Sequence, residues 1–392
     1  MGLLIVGLTT ACSVVPLQPT VSTTVVTTSE GPATVPASAP SADATPATAA
    51  CRDLATSLTT EQKVGQLYMV GTTATGVPDS LASLIRDFHL GSVIYLGSRD
   101  VSVADSAAQS MRLAALGEDM IPVLIAADQE GGRIQRMAGP GFSTIPSARE
   151  QGTMDDEALR TSWAKWGREL VTAGVRFNLA PVADTVPESQ LRSNAPIGAL
   201  QRNFGTDPDD VSDAVVAVVE GLADAKVATS LKHFPGLGRV TTNTDFGVAV
   251  DDVTTTRDDL LEPFTEAMEA GVSSVMVSSA IYSRIDPGVP AVHSSTIVTG
   301  LLREQLGWQG VVISDDLGAA GALDSVAARD RGVRFIAAGG DLVINADPGT
   351  IDEMIEETLA RAASDRAFAD GLDAHVSRVL QLKASVGLVE CA

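Results

Sequence analysis

The sequence predicts a single-domain α/β protein, a (β/α)8 TIM barrel preceded by a disordered tether. Three observations predict it. Eight apolar runs of strand length fall between residues 66 and 346. Stretches with helical apolar spacing separate them. Most of the runs are apolar at consecutive positions, as parallel strands covered by helices must be. Eight such units spread over about 340 residues match the count of a barrel. The rival architecture is an open, doubly wound sheet. No G-x-G-x-x-G turn follows any of the runs, which disfavours its dinucleotide-binding version.

In chain order the runs are "QLYMVG" (66–71), "GSVIYLG" (91–97), "IPVLIAAD" (121–128), "VRFNLAPVAD" (175–184), "VATSLKHF" (227–234), "SSVMVSSA" (273–280), "GVVISDD" (310–316) and "DLVINA" (341–346). Between the fourth and fifth, "DPDDVSDAVVAVVEGLADA" opens with carboxylates, which favour the positive end of a helix dipole. Its Ala and Val positions then recur at helical spacing.

The N-terminal region reads differently. "MGLLIVGLTTAC" is too short to span a bilayer. It resembles the end of a lipoprotein signal peptide, with Cys12 as the lipid-bearing residue. The match departs from that pattern in two ways. No Lys or Arg precedes the apolar run, and Thr9 stands where Leu is usual. A soluble protein with an apolar tail is the alternative. Residues 13–50 are rich in Ser, Thr, Pro and Ala, and such a segment buries too little apolar surface to order itself. The expected organisation is therefore a signal segment (1–12), a disordered linker (13–50) and a barrel (51–392). The expected location is extracytoplasmic, lipid-anchored to the cell membrane or secreted.

Composition narrows the function. Over 392 residues the formal net charge is -22. That argues against nucleic acid as a partner, because phosphate binding needs clustered Lys and Arg. The four histidines, His89, His233, His293 and His375, lie far apart, and no metal-binding spacing occurs. No metal or organic cofactor is expected, and a monomer is.

In a barrel, chemistry sits at the C-terminal ends of the strands. The third run there offers Asp128, Glu130, Arg133 and Arg136, and the fourth Asp184. The fifth offers Lys232 and His233, the seventh Ser314, Asp315 and Asp316, and the eighth Asn345. Carboxylates beside Lys and Arg suit a sugar, whose hydroxyls both donate and accept.

These residues fall in recognisable motifs. "LLREQLGWQGVVISDDLG" (301–318) resembles the active-site signature of glycoside hydrolase family 3. With "DQEGGRIQR" (128–136), "KHFPGLG" (232–238) and the closing "SRVLQLKASVGL", it resembles the β-N-acetylglucosaminidase branch, over nearly all of residues 55–388. The resemblance implies a retaining enzyme with a covalent glycosyl intermediate and Asp315 as nucleophile. It implies that Asp128, Arg136, Arg202, Lys232 and His233 hold the sugar, with Asp184 a rim carboxylate. The implied substrate is terminal GlcNAc in a glycan or muropeptide. A β-glucosidase or β-xylosidase of the family is a second reading. Glu130 and Arg133 read as a structural pair holding their turn. Asp316 reads as pointing away from Asp315, since strand neighbours face opposite sides.

One segment departs from the branch. Its acid/base is normally a His in an Asp-Ser-His triplet after the fifth strand. Here the triplet is Asn243, Thr244, Asp245, and no His remains on that loop. Three readings stay open: Asp245 is itself the acid/base; the enzyme is slow and needs good leaving groups; or the protein is a non-catalytic sugar-binding lipoprotein.

If Cys12 carries lipid, Cys51 and Cys391 remain, near the two ends of the barrel segment. The first and last units of a closed barrel are neighbours, so a Cys51–Cys391 disulfide is expected, with two free thiols as the alternative.

Overall fold

The structure is a computed structural model that describes residues 46–117 and 121–391. Cys12 and the expected signal segment lie outside the described residues.

Eight parallel strands close into a barrel. They are β1 (Tyr68–Thr72), β2 (Ser92–Tyr95), β3 (Leu124–Ala127), β4 (Phe177–Asn178), β5 (Ala228–Phe234), β6 (Ser274–Val277), β7 (Val311–Asp316) and β8 (Leu342–Asn345). Seven fall inside their apolar runs, and β1 passes the end of its run by one residue, Thr72. The ring closes where Tyr68 pairs with Val343 and Met69 with Ser92. Burial explains the unbroken apolar runs. Every residue of β1, β2, β3, β5, β6 and β8 is buried, between the barrel interior and the outer helices.

β4 is much shorter than its run. Regular pairing stops at Asn178, although Leu179 still donates to Ala127 and the carbonyls of Ala180 and Pro181 still accept from Ser230 and Lys232. It resumes only as an isolated bridge from Val182 to Lys232.

The helix expected from its acidic start spans Pro208–Asp224. Asp207 caps it by accepting the Asp209 N–H, and Pro208 occupies the first turn, where a missing N–H costs nothing. Val211, Val215, Val218 and Leu222 then recur on its buried face, each contributing roughly 2 kcal/mol by leaving water. Replacing Asp207 by Ala would remove the cap, at a cost of about 1 kcal/mol.

The chain enters the barrel through a helix at Pro46–Ser57 and leaves it through one at Arg366–Ser385. The entry helix begins before Cys51, inside the segment expected to be linker. The two ends meet as expected. Cys51 and Cys391 form a disulfide, their Cα atoms 4.8 Å apart. No helix among the described residues is long and apolar enough to cross a membrane.

The sequence reading did not find two small sheets on the rim. Gln129–Gly131 pairs antiparallel with Ile134–Gln135 just after β3. Val250–Asp251 pairs parallel with Ile281–Tyr282. Strands of two or three residues are too short to show a period, so only the tertiary fold reveals them.

Candidate active site

The loops after β3, β4, β5 and β7 surround a cavity of about 230 Å3 at the C-terminal mouth of the barrel. Asp128, Glu130, Arg136, Arg202, Lys232, His233, Asp245, Asp315 and Asp316 all line it. Every residue expected to act on the sugar therefore reaches one place.

The floor is an ionic cluster. Lys232 points up from β5 and is 2 % exposed. Its Nζ lies 2.6 Å from Asp128 Oδ1 and 2.7 Å from Glu130 Oε1. Burial alone would pull the Lys232 pKa down, but the two carboxylates outweigh that and raise it. Arg202 reaches in from the loop after β4 and grips Glu130 with two parallel bonds of 2.8 Å, the fork geometry that suits a carboxylate. Burial would raise the Glu130 pKa. Arg202 and Lys232 overcome it and hold the group well below the usual carboxylate range.

That geometry corrects the expected Glu130–Arg133 pair. Asp128 and Glu130 are two apart in an extended segment, so they share a face and turn into the mouth. Arg133 sits on the following turn and is exposed.

His233 is held from below. Its Nδ1 lies 2.7 Å from Asp184 Oδ2. Asp184 Oδ1 also accepts the N–H groups of His233 at 3.2 Å and Leu237 at 2.7 Å. Asp184 is fully buried, so it orients the imidazole rather than meeting a ligand itself. Nε2 faces Arg202 across 3.5 Å. Arg136 differs from the other cations. It lines the cavity, and its Nε is buried without a hydrogen-bond partner.

Asp315 stands at the end of β7. Its pKa is pushed up to about 6. Burial is the main cause; His233 opposes it, and the Asp245 charge adds to it. One carboxylate oxygen accepts the Asp316 N–H at 2.9 Å. Asp316 is occupied elsewhere, as expected. It accepts the N–H groups of Gly318, Ala319 and Ala346, tying the turn after β7 to the end of β8.

Asp245 also lines the cavity, from an exposed segment after β5. Its N–H bonds Asn243 Oδ1 at 3.0 Å, a local turn that presents the side chain. The apolar part of the lining, Ile94, Leu96, Leu179, Met276 and Ile344, was not singled out from the sequence. Apolar strand ends look alike whether they face a core or a ligand.

Among the described residues, no cluster of His, Cys, Asp or Glu is arranged to hold a metal ion. The mouth instead presents a compact set of fixed carboxylates and cations with two separate carboxylates above them. Such a barrel site defines the class of glycan-processing enzymes that work through two carboxyl groups. Residues 59–382 match the glycosyl hydrolase family 3 N terminal domain, and the chain belongs to that family.

Relatives agree on the branch. The chain is 34% identical over 257 residues to a β-hexosaminidase of Stenotrophomonas maltophilia, covering 63% of this chain and 74% of the relative. A β-N-acetylhexosaminidase structure from Beutenbergia cavernae superposes with a TM-score of 0.81 at 42% identity, over 83% of this chain and 99% of that one. A family 3 β-N-acetylglucosaminidase from a Paenibacillus species gives 0.78 at 30% identity, over 85% of this chain and 63% of that one.

Proposed function

We propose that this protein is a retaining β-N-acetylhexosaminidase that releases terminal GlcNAc from a glycan or muropeptide, with Asp315 as nucleophile and Asp245 as acid/base. One observation carries the assignment of roles. Asp315, at the end of β7, and Asp245, on the segment after β5, line one small cavity, and Asp128, Glu130, Arg202 and Lys232 beside them are already paired with one another.

The steps follow from that arrangement. Asp128, Lys232, His233 and Arg136 take the hydroxyls of the sugar, while Glu130 and Arg202 hold Lys232 and each other in register. The Asp315 carboxylate attacks the anomeric carbon as the bond to the leaving oxygen breaks. Asp245 gives that oxygen its proton. Water then attacks the same carbon, Asp245 removes its proton, and Asp315 is released.

The Cys51–Cys391 bond supports an extracytoplasmic location, since disulfides persist where the surroundings are oxidising. Anchoring through Cys12 belongs to the same proposal.

The test combines an aryl β-GlcNAc assay with trapping by a 5-fluoro glycoside and mapping of the labelled peptide. Hydrolysis and a label on Asp315 are expected. Sugar binding with neither turnover nor label would establish the non-catalytic reading instead.

A further inference from the structure

The segment that carries Asp245 is buried at Leu237, Val240, Thr244 and Ala249 but open to solvent around Asp245 itself. Asp245 is exposed, and the next residue, Phe246, is 84% exposed. Two main-chain bonds tie this part of the segment to a neighbouring loop. The Gly321 N–H donates to the Asp245 carbonyl at 3.1 Å, and the Ala322 N–H donates to the Thr244 carbonyl at 3.0 Å. Both donors belong to the loop that follows the nucleophile strand β7.

That loop is firmly seated. Leu317 and Leu323 are fully buried. The buried Arg331 donates to the carbonyls of Leu317, Gly318 and Val326. The approach of the two segments is so close that a Cβ at Gly321 would lie 2.8 Å from the Phe246 carbonyl carbon and 3.0 Å from the Gly247 nitrogen. The backbone of Gly321 is not left-handed, so alanine suits its conformation. Only the neighbouring main chain forbids a side chain there.

We propose that Gly321 is a positioning residue for the acid/base. Having no side chain, it lets the segment after β5 lie main chain against main chain on the loop after β7, and this contact sets where Asp245 stands at the cavity that Asp315 also lines. The proposal rests on the reading of Asp245 as the proton donor. A methyl group at Gly321 pushes the strap outward and leaves the nucleophile and the sugar-holding floor untouched. Displacing a catalytic group by about 1 Å costs up to roughly a hundredfold, and losing a general acid harms poor leaving groups far more than good ones.

The experiment measures Gly321→Ala, Ala322→Pro and Asp245→Asn on a dinitrophenyl glycoside and on an unactivated disaccharide. Ala322→Pro removes the N–H given to Thr244 without adding a side chain at Gly321, and carries the same test if Gly321→Ala does not fold. Both latch variants are expected to lose about ten- to a hundredfold in kcat on the disaccharide, and less than about threefold on the dinitrophenyl glycoside. If Asp245→Asn shows that selectivity and the latch variants do not, the latch is wrong and the acid assignment stands. If Asp245→Asn slows both substrates equally, the acid assignment is wrong and the latch falls with it.

Discussion

Two fully buried lysines sit at opposite ends of this barrel and are held in opposite ways. Lys232, at the mouth, touches two carboxylates, which raise its pKa against the pull of burial. Lys383, at the base, is 0% exposed and meets only neutral oxygens, Gln66 Oε1 at 2.7 Å and the Pro122 carbonyl at 3.2 Å. Burial lowers its pKa to about 7. The mouth spends charge on charge and keeps its cations ionised for a ligand. The base uses a lysine to join the C-terminal helix to the starts of β1 and β3, and does so with a group that is only half ionised near neutrality. The same side chain thus serves chemistry at one end and packing at the other, and only its partners tell the two apart.

The comparison breaks most sharply at Asp315, the proposed nucleophile. Asp315→Ala should lower turnover of an activated aryl glycoside by about 10^4-fold or more, while sugar binding largely persists, because the floor of the cavity does not depend on it. Unchanged turnover would return Asp315 to a structural role.

The next largest effect is at Lys232. Lys232→Met leaves Asp128 and Glu130 with Arg202 as the nearby cation of the cluster. Removing one partner of a buried ionic cluster costs about 3–5 kcal/mol. Denaturant unfolding should show that loss together with a collapse of activity. A variant as stable as the wild type would mean that the cluster carries far less strain than its burial implies.

At the base the corresponding change should be mild. Lys383→Met removes both the cost of burying that amine and its two hydrogen bonds, opposing effects whose net change in stability at pH 7 should be smaller than the loss at Lys232. Its pH signature is specific. The folded pKa lies below the unfolded value, so the unfolded chain binds the extra proton between about pH 7 and 10. Stability contributed by neutral Lys383 is present above that window and lost as pH falls through 7. The difference between wild type and Lys383→Met should therefore tilt across it, by at most about 1.4 kcal/mol per pH unit. Parallel stability curves for the two proteins would refute the assignment.

The smallest effect sharpens the contrast from the other side. Asp315 has a raised folded pKa, so its favourable term is present below the unfolded value near 4 and lost as pH rises through about 6. Asp315→Asn should accordingly stabilise the protein more at pH 7.5 than at pH 5. In the wild type, kcat/KM should climb with pH through about 6 as the nucleophile ionises. An acid limb near pH 4 would show that the mouth shields Asp315 less than its burial suggests.

Much of this was legible in the sequence. The eight barrel strands follow from apolar runs alone, because a strand covered on both faces has no polar position to vary. The strand-end rule then placed Asp128, Lys232, His233 and Asp315 together at one mouth. It could not pair them. Glu130 joins Arg202 and Lys232 across long stretches of chain, rather than its near neighbour Arg133, because alternation along an extended segment turned it inward. Asp184 looked like one more rim carboxylate until its two backbone bonds and its contact with His233 were seen.

Sequence by itself determined the barrel, its family and the residues that crowd its mouth, since burial and motif spacing are local properties of the chain. It also placed Cys51 and Cys391 where a closed barrel brings its ends together. Only the tertiary structure decided which charges neutralise which, and that is what separates Lys232 from Lys383. Only it showed Gly321 lying beneath the segment of Asp245. A contact between main chains that are distant in sequence leaves no mark on composition or period, and steric room exists only once both segments are in place.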